Sequence, residues 1–199
     1  MKYGIDVSKW QKGFDFRLAK SQGKSFCIVR AGRTTAAGQQ VMDEAFYDNI
    51  NGAKNAGLDI GIYFYSLATT EPTAANEAAW IHRLLNKDLK NTALKSGIWL
   101  DVEDKKQATL SAAELTRVIM AGINCLNAHG HYVGLYSGFS FFRHNLIINS
   151  IPGYVPFWVA QYGPENRLKK LYPRRTISAW QYSDHGKIGN HQVDLNIWY

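Results

Sequence analysis

Eight short apolar runs, rich in β-branched and aromatic residues, constrain the fold of this chain more than any other feature. They cover residues 3–8, 26–31, 59–66, 97–103, 132–137, 157–162, 177–182 and 192–197. Helical periodicity fills the early gaps between them. Residues 43–56 carry Phe46, Ile50 and Ala53 at three- and four-residue spacing and stop at Gly57. Thr70-Glu71-Pro72 opens a second helix, with Pro72 in its first turn, running to about residue 85. Ser111 and Glu114 form a capping box for a third, which ends before Gly130. Strands that alternate with helices pair in parallel, and eight of them close into a barrel. The later connections are shorter, and Pro152, Gly153, Pro156, Gly163 and Pro164 interrupt any helical pattern there. The expectation is an α/β chain: one domain over 1–199, an irregular β/α barrel with helices reduced in its C-terminal half.

Acids punctuate these strands. Asp6 follows Gly4-Ile5 and precedes Val7-Ser8; Asp101 and Glu103 end the run that starts at Gly97; Asp194 lies in the last strand. Side chains alternate along a strand, so Asp101 and Glu103 share one face, about 6–7 Å apart. A closed barrel sets the last strand beside the first, which brings Asp194 toward Asp6. Four carboxylates at one barrel mouth repel each other, so at least one should have a raised pKa, as a general acid working near neutral pH requires. A lone Asp in such a chain is usually a cap or a salt-bridge partner. Four that each follow apolar strand residues point to acid/base chemistry.

The opening Gly4-Ile5-Asp6-Val7-Ser8-Lys9-Trp10-Gln11, the Asp101-Val102-Glu103 tripeptide and the terminal Val193-Asp194-Leu195-Asn196 together resemble the family 25 glycoside hydrolases. These are the Chalaropsis-type lysozymes, or N-acetylmuramidases, of bacterial autolysins and phage endolysins. The resemblance runs from Tyr3 to the last residue. It implies a flattened, TIM-like form of the barrel that cuts the β-1,4 bond between N-acetylmuramic acid and N-acetylglucosamine in peptidoglycan. It implies Glu103 as general acid/base and Asp101 as the residue that orients the substrate's N-acetyl group. Asp6 and Asp194 match the remaining acidic positions, which hold water or sugar hydroxyls and tune Glu103. Phe64 stands where many relatives have histidine, and Arg30 where lysine is commoner.

Aromatic and amide side chains on the same strands suit the apolar faces of sugar rings. Tyr63, Tyr65, Tyr136, Trp158 and Trp180 are assigned to the groove, with Gln161 and Gln181 as polar partners inside apolar strands. Trp99, Phe157 and Trp198 read as core.

The chain has 23 Lys and Arg against 16 Asp and Glu, a net charge of +7. A basic surface attracts polyanions. The densest run, Arg167 to Arg175, lacks every nucleic-acid module signature, so anionic wall polymers are the expected second partner after peptidoglycan glycan strands. In its bland reading the run is only a solvated face. No apolar stretch reaches bilayer length, and the opening lacks the charged and apolar regions of a secretory leader. The expectation is a monomer, cytoplasmic until lysis as an endolysin would be, or wall-associated if exported. Cys27 and Cys125 read as buried free thiols, and His129 and His131 as turn residues. No Cys or His spacing suits a metal, so no metal or cofactor is expected. Two rivals remain: a catalytically silent glycan-binding barrel and a metal-dependent phosphodiesterase. A chitinase-like hexosaminidase would need a longer Asp-rich pattern that is absent.

Overall fold

The computed structural model describes residues 1–199. In chain order it contains β1 (Lys2–Val7), α1 (Phe16–Ser21), β2 (Phe26–Thr34), β3 (Gln40–Met42), α2 (Phe46–Asn55), β4 (Asp59–Tyr65), α3 (Glu71–Lys87), β5 (Ile98–Asp101), α4 (Ala112–Ala128), β6 (Val133–Gly138), α5 (Phe139–Asn145), β7 (Phe157–Ala160), α6 (Arg167–Leu171), β8 (Ile177–Ile188) and β9 (His191–Trp198). The sheet runs β1-β9-β8-β7-β6-β5-β4-β2, and a direct β1–β2 pairing closes it into an eight-stranded barrel. Strand β3 hangs on β2 as an outer ninth strand.

Period-two alternation builds two separate cores. Cys27, Val29, Ile62, Leu100, Leu135, Phe157 and Val159 point outward into a large cluster shared with the helices. Their neighbours Phe26, Ile28, Trp99, Tyr136 and Trp158 point inward and fill the barrel, with Trp198 against them. The large rings need small partners. A Cβ on Gly134 would lie 2.4 Å from the Trp99 ring, so only glycine lets that indole fill the interior.

The long helices start where their caps say. Thr70 accepts from the Thr73 amide and Ser111 from the Glu114 amide, each in a reciprocal capping box. In the second half α5 has 7 residues and α6 has 5, against 17 in both α3 and α4. The reduced C-terminal half therefore matches its composition.

Three features differ from the sequence reading. Strand β9 runs antiparallel to both β8 and β1, so the barrel is not wholly parallel. The cause is the two-residue link Gly189-Asn190, with Gly189 at φ +57: such a link can only join antiparallel strands. Strand β8 consequently extends to Ile188, and the β8–β9 hairpin rises beyond the barrel mouth. The β2–β3 hairpin is also new; it turns through Gly38 at φ +81. Finally, β5 stops at Asp101, so Val102 and Glu103 belong to the following loop.

Candidate active site

Six consecutive parallel pairings leave the C-terminal ends of β1, β2 and β4 to β8 at one end of the barrel, where β/α barrels place their chemistry. Asp6 stands near the end of β1. The antiparallel course of β9 puts Asp194 in register opposite it. Asp101 is the last residue of β5, and Glu103 lies two residues beyond.

The four acids occupy different depths. Asp6 is buried, and its Oδ2 accepts from Gln181 Nε2 at 2.9 Å and Asn196 Nδ2 at 2.7 Å. Asp101 is 3% exposed, and its Oδ1 has no hydrogen-bond partner. Asp194 is half-buried and takes a 3.3 Å bond from the same Gln181 amide. Glu103 is the exposed member of the set, on the loop at the mouth.

All four carboxyls are held above their usual range, chiefly because burial penalises the charged form. Asp6 rises to about 6, with the Glu103 charge adding to burial while the Gln181 and Asn196 amides pull it back. Asp194 rises to about 8 through burial and the adjacent Asp6. Asp101 is pushed well up by burial, Glu103 and Asp6, and opposed only by Arg30. Glu103 is raised by the protein walls around its carboxyl and by Asp194 and Asp104, even though part of its side chain meets solvent.

Amides and aromatics tie this set together. Gln181 is 2% exposed; while its Nε2 bridges Asp6 and Asp194, its Oε1 accepts from Tyr136 Oη at 2.9 Å and Tyr162 Oη at 3.3 Å. Asn196 links Asp6 to the Trp158 indole N–H at 2.8 Å. Arg30, inward on β2, is anchored by Asp43 at 2.6 Å.

The sequence-assigned side chains therefore divide. Asp6, Asp101, Glu103, Asp194, Gln181, Tyr63, Tyr65 and Tyr136 converge on the interior and mouth. Trp158 is also interior but 1% exposed: it packs 4.3 Å from Tyr136 and 6.1 Å from Tyr63, beneath the groove rather than on it. Trp180 is not brought to the acids. It pairs with Val159 on the outer face, donates its indole N–H to the Gln161 carbonyl and packs on Tyr182. Nor does Gln161 reach them; its side chain accepts from the Arg167 amide just past the α6 cap. Both assignments followed strand parity or composition without knowing where each strand starts.

Several residues were missed. Tyr65 donates to Asp104 at 3.0 Å, and the Asp104 amide donates to Gln107 Oε1. Buried Gln107 in turn donates to Ser66, and Ser66 to Glu77 on α3, whose other oxygen takes the Thr34 hydroxyl. This buried chain clamps the loop that carries Glu103 onto the end of β4. Its only sequence signal was polar residues at apolar positions of a helix and a loop. Exposed aromatics at the rim, Trp10 at 75% and Tyr162 at 54%, were also unassigned, although Trp10 lies in the opening motif.

Elsewhere, Cys27 is buried and Cys125 only half-buried, both as free thiols. His129 and His131 follow α4 as turn residues, and their rings also pack on His82 of α3. No group of three or more His, Cys, Asp and Glu is arranged to hold a metal ion. No helix is long and apolar enough to cross a membrane. The basic run is only partly a solvated face. Arg175 is half-buried, donates to the Ile151 and Val155 carbonyls and stacks 4.1 Å from the Phe157 ring centroid; Lys169 lies over Tyr199.

The family profile described as Glycosyl hydrolases family 25 matches residues 5–191. The chain is 29% identical to the autolytic lysozyme of Clostridium acetobutylicum, over 93% of this chain and 51% of that protein. It is 28% identical to lysozyme M1 of Streptomyces globisporus, over 97% of this chain and 65% of that protein. It thus spans about half to two thirds of the length of these two relatives. Among solved structures, the bacterial lysozyme of Streptomyces coelicolor superposes with a TM-score of 0.77 at 25% identity, covering 99% of this chain and 91% of that one. The modular autolysin LytC of Streptococcus pneumoniae gives 0.81 at 24% identity, over 100% of this chain and 46% of that one.

Proposed function

Because this chain belongs to the family 25 glycosyl hydrolases, we propose that it is a muramidase that hydrolyses the β-1,4 bond between N-acetylmuramic acid and N-acetylglucosamine in peptidoglycan. The observation that carries this reading is the graded burial of four carboxyls at one barrel mouth, with a raised Glu103 as the one open to an incoming glycan. A general acid must hold its proton near working pH, and the upward shift of Glu103 is in the direction that role needs.

Glu103 donates its proton to the glycosidic oxygen, and the leaving sugar departs with it. The substrate's acetamido oxygen attacks C1 and forms a bicyclic oxazolinium-like intermediate, the substrate-assisted route. Asp101 lies below with one oxygen unpartnered. That oxygen accepts the acetamido N–H, and the bond favours the ionised form of Asp101 against its burial. Glu103, now a carboxylate, takes a proton from water as the water attacks C1 and opens the ring. Burial, with Asp194 and Asp104 beside it, raises Glu103 in the free enzyme, and the Gln181 amide holds Asp194 in place against Asp6.

Clearing of purified cell walls, followed by mass spectrometry of the released fragments, tests the activity. Muramic acid at the new reducing ends supports it; binding of walls without any new ends would make the chain a silent glycan-binding barrel. Walls stripped of N-acetyl groups test the route. They should resist cleavage, and efficient turnover would replace acetamido participation by direct carboxylate attack.

A further inference from the structure

Beside the acidic mouth, and separate from it, lies a second cavity of about 210 Å³. Its walls come from the β2–β3 hairpin, the β4–α3 loop, the first turns of α3 and the loop after β5. All of these are at the catalytic end of the barrel, and Lys106 on its rim is three residues from Glu103. Only three of its twelve lining residues are hydrophobic and none is aromatic, so it offers a sugar ring no platform. It is smaller than the roughly 300–1,000 Å³ of sites for drug-sized ligands, which fits a group of one or two amino acids.

The groups facing the cavity are of mixed kind. Glu77 forms part of its wall, but its carboxylate is spent on Thr34, Ser66 and the Leu67 amide. The side chains of Thr69 and Asn76 make no hydrogen bond within the protein, and the Lys106 ammonium has no acidic partner within 4 Å although its own amide is fixed by Asp104. One free cation with uncommitted hydroxyl and amide groups suits peptide N–H and C=O groups that end in a carboxylate. A phosphate would call for more positive charge than one lysine.

We propose that this cavity binds the acidic peptide stem carried by the muramic acid residues of the substrate, with Lys106 pairing a stem carboxylate. The proposal rests on the muramidase reading and deepens it: the glycan lies over Glu103 while its peptide branch turns across Lys106 into the cavity. Thr69 and Asn76 hold the branch by its backbone.

The test compares kcat/KM on glycan strands that keep their peptide stems with the same strands stripped by an amidase. The Lys106→Ala change should cost about three- to tenfold on stem-bearing strands, through KM, as expected for loss of one partly exposed charge-assisted bond. It should leave stripped strands unaffected, and Lys106→Arg should retain the parent's value. Asn76→Leu should act in the same direction. Equal effects on both substrates, or none on either, would overturn the proposal. A second arm titrates an N-acetylated acidic tripeptide of the stem and follows backbone amides by NMR. Shifts at Thr69, Asn76 and Lys106, lost in Lys106→Glu, support the site, and their absence in the parent refutes it. A parent protein that binds the tripeptide but cuts neither glycan would sink the muramidase reading and leave the peptide site standing. Cleavage without any stem preference would do the reverse.

Discussion

Replacing Asp194 by Asn should stabilise the protein at neutral pH. Asp194 has an ordinary carboxyl value of 3.8 when unfolded and about 8 in the fold, raised by burial and by Asp6. The folded state therefore holds a proton that the unfolded state releases as pH rises above 3.8. Stability is lost between these two values and is unaffected below both. At pH 7 the gap is about three units, or about 4 kcal/mol at about 1.4 kcal/mol per unit. Asp194 is half-buried, so solvent screening removes around half of that and leaves about 2 kcal/mol. Asparagine carries no charge to penalise and can still meet the Gln181 amide through its carbonyl oxygen. For a domain of this size 1 kcal/mol is about 2–4 °C in Tm, so Asp194→Asn should melt about 4–8 °C higher than the parent at pH 7. At pH 4 the two should melt within about 2 °C of each other. Thermal unfolding by circular dichroism at both values measures this. An equal or lower Tm for the variant at pH 7, or the same gain at pH 4, would refute the reasoning that the acid cluster is strained by its own burial.

Four other outcomes follow from the geometry. Glu103→Gln should lower wall cleavage by about 10² to 10⁴ while Tm stays within a degree or two, since the amide keeps the shape but has no proton to give. Gln181→Leu should destabilise the fold by about 2 kcal/mol, because it strands Asp6, Asp194 and Tyr136, each of which loses a partner; urea unfolding reads it. Gly134→Ala should cost about 1–3 kcal/mol in the same assay, by driving a methyl into the Trp99 ring. Within the basic run, Arg175→Gln should lower Tm because it releases the Ile151 and Val155 carbonyls, whereas Lys170→Gln with Arg174→Gln should change only the salt dependence of whole-cell lysis. Unchanged salt dependence would leave those two charges as a solvated face.

What was legible in the sequence was whatever depends on local pattern. Strand alternation separates Phe26 and Ile28 from Cys27 and Val29, and the structure sends the two sets to different cores. Thr70, Pro72 and Ser111 mark helix starts because caps are local chemistry. Asp6, Asp101 and Glu103 met because parallel strand ends and the loops after them share one rim, and Asp194 joined them through its register with Asp6 on antiparallel β9. Illegible was what depends on where strands lie relative to each other. The direction of β9 hinged on the two-residue turn Gly189-Asn190, hidden between two runs taken to be short. Trp180 and Gln181 are adjacent, and a one-residue parity choice decides which of them meets Asp6. The Thr34–Glu77–Ser66–Gln107 network joins residues up to 73 positions apart in the chain through bonds that no spacing rule encodes.

The most direct measurement labels the ends created on stem-free glycan strands by the parent and by Glu103→Gln, both verified as folded by near-UV circular dichroism. The parent should produce strands ending in reducing N-acetylmuramic acid, and Glu103→Gln almost none. Reducing N-acetylglucosamine from the parent, or muramic acid ends from Glu103→Gln at more than a tenth of the parent's rate, would contradict the assignment of this site to muramidase chemistry through Glu103.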